Sequence, residues 1–217
     1  VDGGVVGFKV SLFLTDAFRF PRINDRELID VMTATGQAGR TVCVHAENNE
    51  IVKAMITEQQ DASRAGDAQA HTRSRPPIAE TLGALTALEV AANTGAALHL
   101  CHLSLPRGID FVDWYRQQGA NVSVETCPHY LVFDADEIAA GATQFKCCPP
   151  IRDLDEQDAP GDRVVRVELD AETPRVIAGQ RPAQARDTAR NRIAVRLGIL
   201  NCLDQFLDDM GRRGLVG

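Results

Sequence analysis

Four residues with reactive side chains stand at or near the ends of short apolar runs. Lys9 closes the run at 5–8, His45 and His102 each follow such a run, and a fourth run leads toward His129. Apolar runs of this length are typical of buried parallel strands. Because the C-terminal ends of the strands in a barrel of β/α units converge, we expect these side chains to lie close together.

Lys9 is unusual among these positions, because burying an unpaired ammonium at a strand end costs several kcal/mol. Its pKa could be lowered by desolvation, so that the amine acts as a base or nucleophile. The amine could instead carry carbon dioxide as a carbamate, an anionic ligand able to bridge two metal ions. The structural alternative is a side chain that extends from the strand end into solvent and has no chemical role.

Two neutral imidazoles and a carbamate form a donor set that suits zinc or a similar divalent ion. Two such ions, about 3.5–4 Å apart, would polarise an amide carbonyl and lower the pKa of a bridging water toward about 7. The pattern therefore indicates hydrolysis of a resistant amide, with a carboxylate to move the proton. A histidine at a strand end can also be a hydrogen-bonded rim residue, so neither His45 nor His102 decides the question alone.

Two other arrangements could supply a nucleophile, but neither has the expected partners. Ser104 follows His102 without the glycine-flanked turn of a hydrolase serine. Cys127 lies near His129, but Pro128 separates them and no third group is positioned to orient the imidazole. We therefore favour a metal site over a serine or cysteine nucleophile.

A regular alternation of strands and helices would position these residues. Apolar runs predict strands at 5–9, 41–44, 97–101 and 121–125. Capping residues and prolines predict helices that begin near Asn24, Asn49, Pro76 and Pro106. This pattern predicts parallel β/α architecture with right-handed crossovers, as in a (β/α)8 barrel. A doubly wound sheet is the alternative, but no glycine-rich phosphate loop follows any of these strands.

The long helix after Pro76 is predicted to end at Gly95. It is expected to bury an apolar stripe made of Leu82, Leu85, Leu88, Val90 and Ala91.

Composition and charge restrict the class of partner and the compartment. A net charge of −7 over 217 residues argues against nucleic acid and an anionic membrane surface as partners. No apolar run approaches the length of a membrane-spanning helix. Six cysteines occur without a C-x-x-C pair, and Cys147 and Cys148 are adjacent. These features favour reduced thiols in a cytoplasmic protein over disulfides or structural zinc.

Six short motifs occur in order along the chain. They are Gly-Phe-Lys (7–9), Val-His-Ala-Glu-Asn (44–48), Ser-Arg-Pro-Pro-Ile-Ala-Glu (74–80), Cys-His-Leu-Ser (101–104), Glu-Thr-Cys-Pro-His-Tyr-Leu (125–131) and Lys-Cys-Cys-Pro-Pro-Ile-Arg (146–152). Together they resemble the cyclic amidohydrolases, which include allantoinase, dihydropyrimidinase or hydantoinase, and dihydroorotase. The resemblance covers residues 3–155. The last two motifs are most similar to those of allantoinase, which opens the hydantoin ring of allantoin to allantoate.

The resemblance implies an α/β fold, a TIM-type (β/α)8 barrel beside a small β-sandwich, usually assembled as a homotetramer. By position, Lys9 matches the catalytic carboxylated lysine that bridges two divalent metal ions, most often zinc. His45 and His102 match two histidines that bind the second ion. Cys148 stands where the family has a small residue, often serine, whose backbone holds the ring amide of the substrate.

Two parts of the family's site are absent from this sequence. The H-x-H pair of the first barrel strand and the S-D-H segment of the last are missing, and no histidine follows His129. The aspartate of the S-D-H segment is both metal ligand and general base in the family. We therefore expect residues 1–152 to form about strands four to seven of a barrel. Residues 153–217 are expected to be a divergent tail, with a strand at 165–169 and a helix at 193–207.

The sequence thus predicts hydrolysis of a small cyclic amide, allantoin most specifically, by a metal-activated water, with part of the site outside this chain. Hydantoins and dihydropyrimidines are the alternative substrates. An alternative from another functional class is a non-catalytic relative, either an interaction subunit or a truncated or frame-shifted remnant. Since an isolated part of a barrel would expose strand edges and apolar surface, we expect it to need a partner or to aggregate.

Overall fold

The sheet that carries the predicted site has four parallel strands in the order β1-β2-β3-β4. They are β1 (Gly7–Ser11), β2 (Thr41–His45), β3 (Ala97–Leu100) and β4 (Val122–Val124). The structure is a computed structural model that describes residues 3–138, 143–157, 163–169 and 174–180. The chain divides into two compact units, and the sheet belongs to the first, which comprises residues 1–127 and 133–159.

Helices alternate with these strands as predicted. They are α1 (Asp25–Gln37), α2 (Asn49–Asp61), α3 (Ala70–Arg73), α4 (Pro77–Thr94), α5 (Pro106–Gln117), α6 (Pro128–Val132) and α7 (Leu154–Gln157), with 3-10 turns at Ala135–Glu137 and Thr143–Phe145. Within the described ranges, no helix combines the length and apolar character that crossing a membrane requires.

The second unit comprises residues 128–132 and 160–217. It contains α6 and an antiparallel pair of strands, β5 (Arg163–Leu169) and β6 (Pro174–Gln180). The strand predicted at 165–169 is thereby confirmed. The helix predicted at 193–207 lies outside the described residues, and the domain boundary at residue 152 stays a prediction.

Helix starts follow from local chemistry. The Asn24 side chain accepts a hydrogen bond from the Glu27 N–H, and the Glu27 carboxylate accepts one from the Asn24 N–H, so α1 begins with a capping box. Proline stands in the first turn of α4, where an amide N–H has no partner within the helix. Gly95 ends α4 in the left-handed conformation, with φ of 69°.

The apolar stripe predicted for α4 is confirmed at Leu88 and Ala91, is partly buried at Leu85 and Val90, and is wrong at Leu82. The buried face consists of Ala79, Glu80, Gly83, Ala84, Ala87, Leu88 and Ala91, whereas Leu82 is 38% exposed. Small residues allow the helix to approach the sheet closely: a Cβ added at Gly83 would lie 2.6 Å from the carbonyl carbon of Ala46. Close backbone contact therefore selects this face, rather than the size of its apolar side chains.

One face of the sheet forms the core of the first unit. Val42, Val44, Leu98 and Leu100 are at most 1% exposed and pack with residues of α1, α4 and α5. All three helices thus cover the same face, as in a barrel, whereas a doubly wound sheet has helices on both faces.

The opposite face carries the polar residues, and strand register aligns them. Lys9 pairs with Cys43, and Ser11 pairs with His45. Partners in neighbouring strands share a face, and residues two apart in a strand share it too. Lys9 and His45 therefore lie on the same face of the sheet, in adjacent rows.

Lys9 itself differs from the prediction in two respects. It is the third residue of the five-residue strand β1 rather than the last, and its side chain is exposed rather than buried. The apolar run at 5–8 led us to place the strand too early, because residues 5 and 6 precede it. The argument from burial of a charged amine therefore does not apply to Lys9 in this structure.

Candidate functional site

His45 and His102 form a close pair at the C-terminal ends of β2 and β3. His45 Nδ1 lies 3.4 Å from His102 Nε2, and the two rings meet edge to face at 62°. His102 has φ of 42°, in the left-handed region that non-glycine residues seldom adopt. Regular strand geometry would direct residues 101 and 102 to opposite faces of the sheet. The left-handed turn interrupts that alternation where the His102 ring meets His45, and such strain is typical of functional sites.

The hydrogen bond of His45 to Glu47 determines which ring nitrogen faces His102. His45 Nε2 lies 2.7 Å from a carboxylate oxygen of Glu47, whose side chain is fully buried. A carboxylate accepts hydrogen bonds, so Nε2 carries the proton and donates it, and the lone pair of Nδ1 faces His102. Burial first, and then His45 and Lys9, lower the pKa of His102 to about 4. The His102 imidazole is therefore available as a neutral metal ligand.

The spacing of the two nitrogens fits one divalent ion. Zinc binds histidine nitrogen at about 2.0–2.1 Å, so two ligands at a tetrahedral angle lie about 3.4 Å apart. Glu47 completes the arrangement, because metal-binding histidines usually donate their other N–H to a carboxylate or carbonyl.

Lys9 lies on the same face as this pair and interacts with the neighbouring strand. Burial raises the pKa of the nearby Cys101 thiol to about 11, an effect that the Lys9 amine opposes. The ammonium also lies 5.9 Å from the centre of the Phe20 ring. The structure therefore brings Lys9 into the surroundings of His102, on an exposed face of the sheet.

Cys148 is connected to the histidine pair through residues that sequence reasoning did not single out. Arg75 lies between Glu47 and His71. Its Nε is 3.8 Å from a carboxylate oxygen of Glu47, and another of its guanidinium nitrogens is 3.2 Å from Nδ1 of His71. The opposite nitrogen of His71 lies 2.7 Å from the Cys147 carbonyl oxygen and 3.8 Å from the Cys148 sulfur. Burial raises the pKa of the Cys148 thiol, against the effect of the nearby Arg75.

Glu47 and Arg75 stand inside the motifs Val-His-Ala-Glu-Asn and Ser-Arg-Pro-Pro-Ile-Ala-Glu. The signal that could have identified them was their charge inside otherwise buried segments. His71 stands outside the six motifs, so the sequence offered no comparable signal for it.

A second buried carboxylate, Glu80, joins three of the six motif segments, 74–80, 101–104 and 146–152. It accepts hydrogen bonds from the Ser104 and Leu105 amides at 2.9 and 3.1 Å and from the Ser104 hydroxyl. Arg152 donates to Glu80 and to Ser104 at 3.2 and 3.0 Å, and also to the Arg75 carbonyl. Burial raises the pKa of Glu80, an effect that Arg152 and Ser104 oppose. This cluster holds the segment around residue 152 against the start of α4.

His99, Cys101 and Glu125 also offer ligand atoms within 4.8 Å of one another. The His99 Nδ1 is 2.9 Å from the Ser123 hydroxyl, and its Nε2 is 3.5 Å from a Glu125 oxygen. Burial raises the pKa of the Cys101 thiol to about 11, which favours its protonated form. The chain therefore has two candidate metal-binding groups among the described residues, and the histidine pair is the one that the sequence predicted. The five cysteines in the described part of the chain are free thiols, as predicted.

Comparison with known proteins gives the same class of fold. No family model matches the chain. An L-hydantoinase (dihydropyrimidinase) from Arthrobacter aurescens is similar in structure, with a TM-score of 0.65 and 28% identity over 72% of this chain and 34% of that one. A dihydropyrimidinase from Brevibacillus agri gives a TM-score of 0.66 and 27% identity over the same shares. The first unit is therefore part of a (β/α)8 barrel of the amidohydrolase type.

Sequence similarity to curated relatives is more specific than the similarity in fold. An allantoinase of Escherichia coli O139:H28 is 34% identical over 224 residues, and one of E. coli O9:H4 is 32% identical over 222 residues. Each match covers 98% of this chain and 48% of the relative, so the chain spans about half the length of the curated relatives it matches. The chain belongs to the cyclic amidohydrolase family. The similarity extends beyond residues 3–155, where the motifs were recognised.

Proposed function

We propose that the protein containing this chain hydrolyses a cyclic amide in a metal-dependent reaction, with allantoin as substrate and allantoate as product. The observation that carries the proposal is the 3.4 Å approach of His45 Nδ1 to His102 Nε2, with His45 fixed in the required tautomer by Glu47. The similarity to E. coli allantoinases supports the choice of substrate.

Each residue has a defined part in this proposal. His45 and His102 hold one divalent ion, and Lys9, carboxylated on its amine, joins that ion to a second. When bound, the metal pair supplies Lewis-acid polarisation of the amide carbonyl and a water whose pKa is lowered toward about 7. Glu47 keeps the His45 ring oriented, and the backbone at Cys148 holds the ring amide of the substrate. Family resemblance assigns the general base to a segment outside this sequence, and implies zinc and a homotetramer, whereas the cysteine usage favours the cytoplasm.

Carboxylation of Lys9 requires that carbon dioxide reach its side chain, and Lys9 is exposed on β1. A bound ion would favour the carbamate, because the anionic group would become a metal ligand.

Metal content and turnover test the proposal directly. We expect the full-length protein, expressed with zinc and bicarbonate, to contain close to two ions per chain and to convert allantoin. His45→Ala and His102→Ala should each lose metal, and Lys9→Ala should lose bridging and turnover. His99→Ala is the matched control, because this histidine lies on the same face but outside the proposed centre. Unchanged zinc content in His45→Ala and His102→Ala would contradict the assignment.

A second candidate substrate class is hydantoins and dihydropyrimidines, which the similar solved structures favour. Assaying hydantoin and dihydrouracil beside allantoin separates the two. A protein that binds no metal and turns over none of these substrates would support the remaining alternative, a non-catalytic relative.

A further inference from the structure

We infer that His71 is a positioning residue, which fixes the peptide unit between Cys147 and Cys148 relative to the metal ligand His45. The inference rests on the proposed function, because it concerns the backbone that we assign to the ring amide of the substrate. It adds an orienting group that the motifs do not contain.

The two partners of His71 determine its tautomer. Its Nε2 lies 2.7 Å from the Cys147 carbonyl oxygen, which can only accept a hydrogen bond, so Nε2 carries the proton and donates. Its Nδ1 lies 3.2 Å from a guanidinium nitrogen of Arg75, which can only donate, so Nδ1 is the acceptor. Neutral His71 satisfies both contacts, whereas a protonated ring would direct an N–H at Arg75.

Burial and the neighbouring positive charges keep the His71 ring neutral. Burial is the main cause that lowers the pKa of His71 to about 4, and the nearby Arg75 and Lys146 act in the same direction. The Cys147 carbonyl and Glu47 act in the opposite direction. At neutral pH the His71 ring is therefore neutral, and it accepts from the charged Arg75 guanidinium while it donates to the Cys147 carbonyl.

Peptide geometry explains how a bond to Cys147 acts on Cys148. The Cys147 carbonyl and the Cys148 N–H belong to one planar peptide unit, in which they point in opposite directions. A donor on the carbonyl thus fixes where the N–H points, and polarisation of the unit makes that N–H a stronger donor. Through Arg75 and Glu47, the same chain of contacts reaches His45. His71 therefore sets the distance between the metal site and the substrate-binding N–H.

Three variants of the full-length zinc-loaded protein test this role. His71→Leu removes both hydrogen bonds, and His71→Gln can restore them, because its amide donates to Cys147 and accepts from Arg75. Gln69→Leu is the matched control. Gln69 stands two residues before His71 and also donates a hydrogen bond to a backbone carbonyl, that of Ala135 at 2.7 Å.

We expect His71→Leu to raise KM for allantoin by about 3–10-fold, the loss expected for one hydrogen bond, with zinc content unchanged. His71→Gln should return KM to the wild-type range, and Gln69→Leu should lower stability without raising KM. Iodoacetamide labelling of Cys148, quantified on the peptide, should be faster in His71→Leu alone.

Two measurements test the role of His71 even if the proposed activity is wrong. Labelling of Cys148 needs no turnover, and nitrogen-15 NMR of the imidazole rings reports the tautomer without metal. A His71 ring protonated on Nδ1, or wild-type labelling of Cys148 in His71→Leu, would overturn the positioning role. A protein without zinc or turnover that still shows the Nε2–H tautomer and faster labelling would overturn the proposed function alone.

Discussion

Glu47 and Glu80 are two fully or almost fully buried carboxylates, but their surroundings differ in one important respect. Both oxygens of Glu80 accept hydrogen bonds, from two backbone amides, a hydroxyl and Arg152. Glu47 uses one oxygen for His45, and its other oxygen has no hydrogen-bond partner among the described residues, with Arg75 Nε 3.8 Å away.

The difference separates a structural cluster from a functional one. A buried charge is stable when every lone pair is used, and the Glu80 cluster meets that condition. The Glu47 cluster does not, because one Glu47 oxygen and the nearby Arg75 Nε lack hydrogen bonds among the described residues, while the other oxygen is bonded to His45. We therefore expect changes around Glu80 to act on folding and changes around Glu47 to act on metal binding.

The largest effect is expected from breaking the Glu80 cluster. Arg152→Met should lower the free energy of unfolding by about 3–5 kcal/mol, because it leaves a buried carboxylate without its countercharge. Urea unfolding measures the change. Arg26→Met is the control: its ion pair with Asp30 is exposed, and its loss should cost less than about 1 kcal/mol. A loss below about 1 kcal/mol in Arg152→Met would remove the distinction between the two clusters.

A smaller effect on stability, but a clear one on metal binding, is expected at Glu47. Glu47→Leu should lower zinc affinity by about 10–100-fold, because His45 loses the acceptor that fixes its tautomer and orientation. Competition with a chromophoric chelator measures the affinity. Glu50→Leu is the control, because Glu50 is 72% exposed and pairs with Arg22. Equal zinc affinity in Glu47→Leu and wild type would show that the carboxylate does not support the site.

The smallest effect concerns pH and His71, at the edge of the Glu47 cluster. The pKa of His71 is about 4 in the folded chain, against an ordinary value of 6.5. Between these values the unfolded chain binds more protons, so stability falls as pH decreases from about 6.5 to about 4. His71→Gln should lack this contribution, so its free energy of unfolding relative to wild type should improve from pH 7.5 to pH 5. A constant difference over this range would contradict a buried, neutral imidazole.

Local rules predicted most of the elements. Asn24 and the proline before α4 mark helix starts through capping chemistry, which depends on a few neighbouring residues. His45 and His102 were placed at strand ends by the lengths of the apolar runs before them. The predicted barrel type is confirmed by the solved relatives, and the roles of Lys9, His45, His102 and Cys148 stay predictions.

Features that depend on three-dimensional contacts could not be obtained in this way. The buried face of α4 is set by the approach of Gly83 to the backbone at Ala46, which no periodicity encodes. The left-handed turn at His102 could not be predicted, because the residue in this conformation is not a glycine. The chain of contacts from His45 to Cys148 uses separate segments that meet only after folding. Lys9 was misplaced by two residues, because apolar character continues across the boundary of β1.

The order of strands in the sheet has a consequence for biosynthesis. β2, β3 and β4 each pair with the strand that precedes them in the chain. During translation the N-terminal part of a protein leaves the ribosome first. Every new strand of this sheet therefore meets a partner that has already been made, and the sheet can grow by one edge in the direction of synthesis. His45 and Glu47 emerge before His102, so one half of the proposed metal site is made while the other is still being translated.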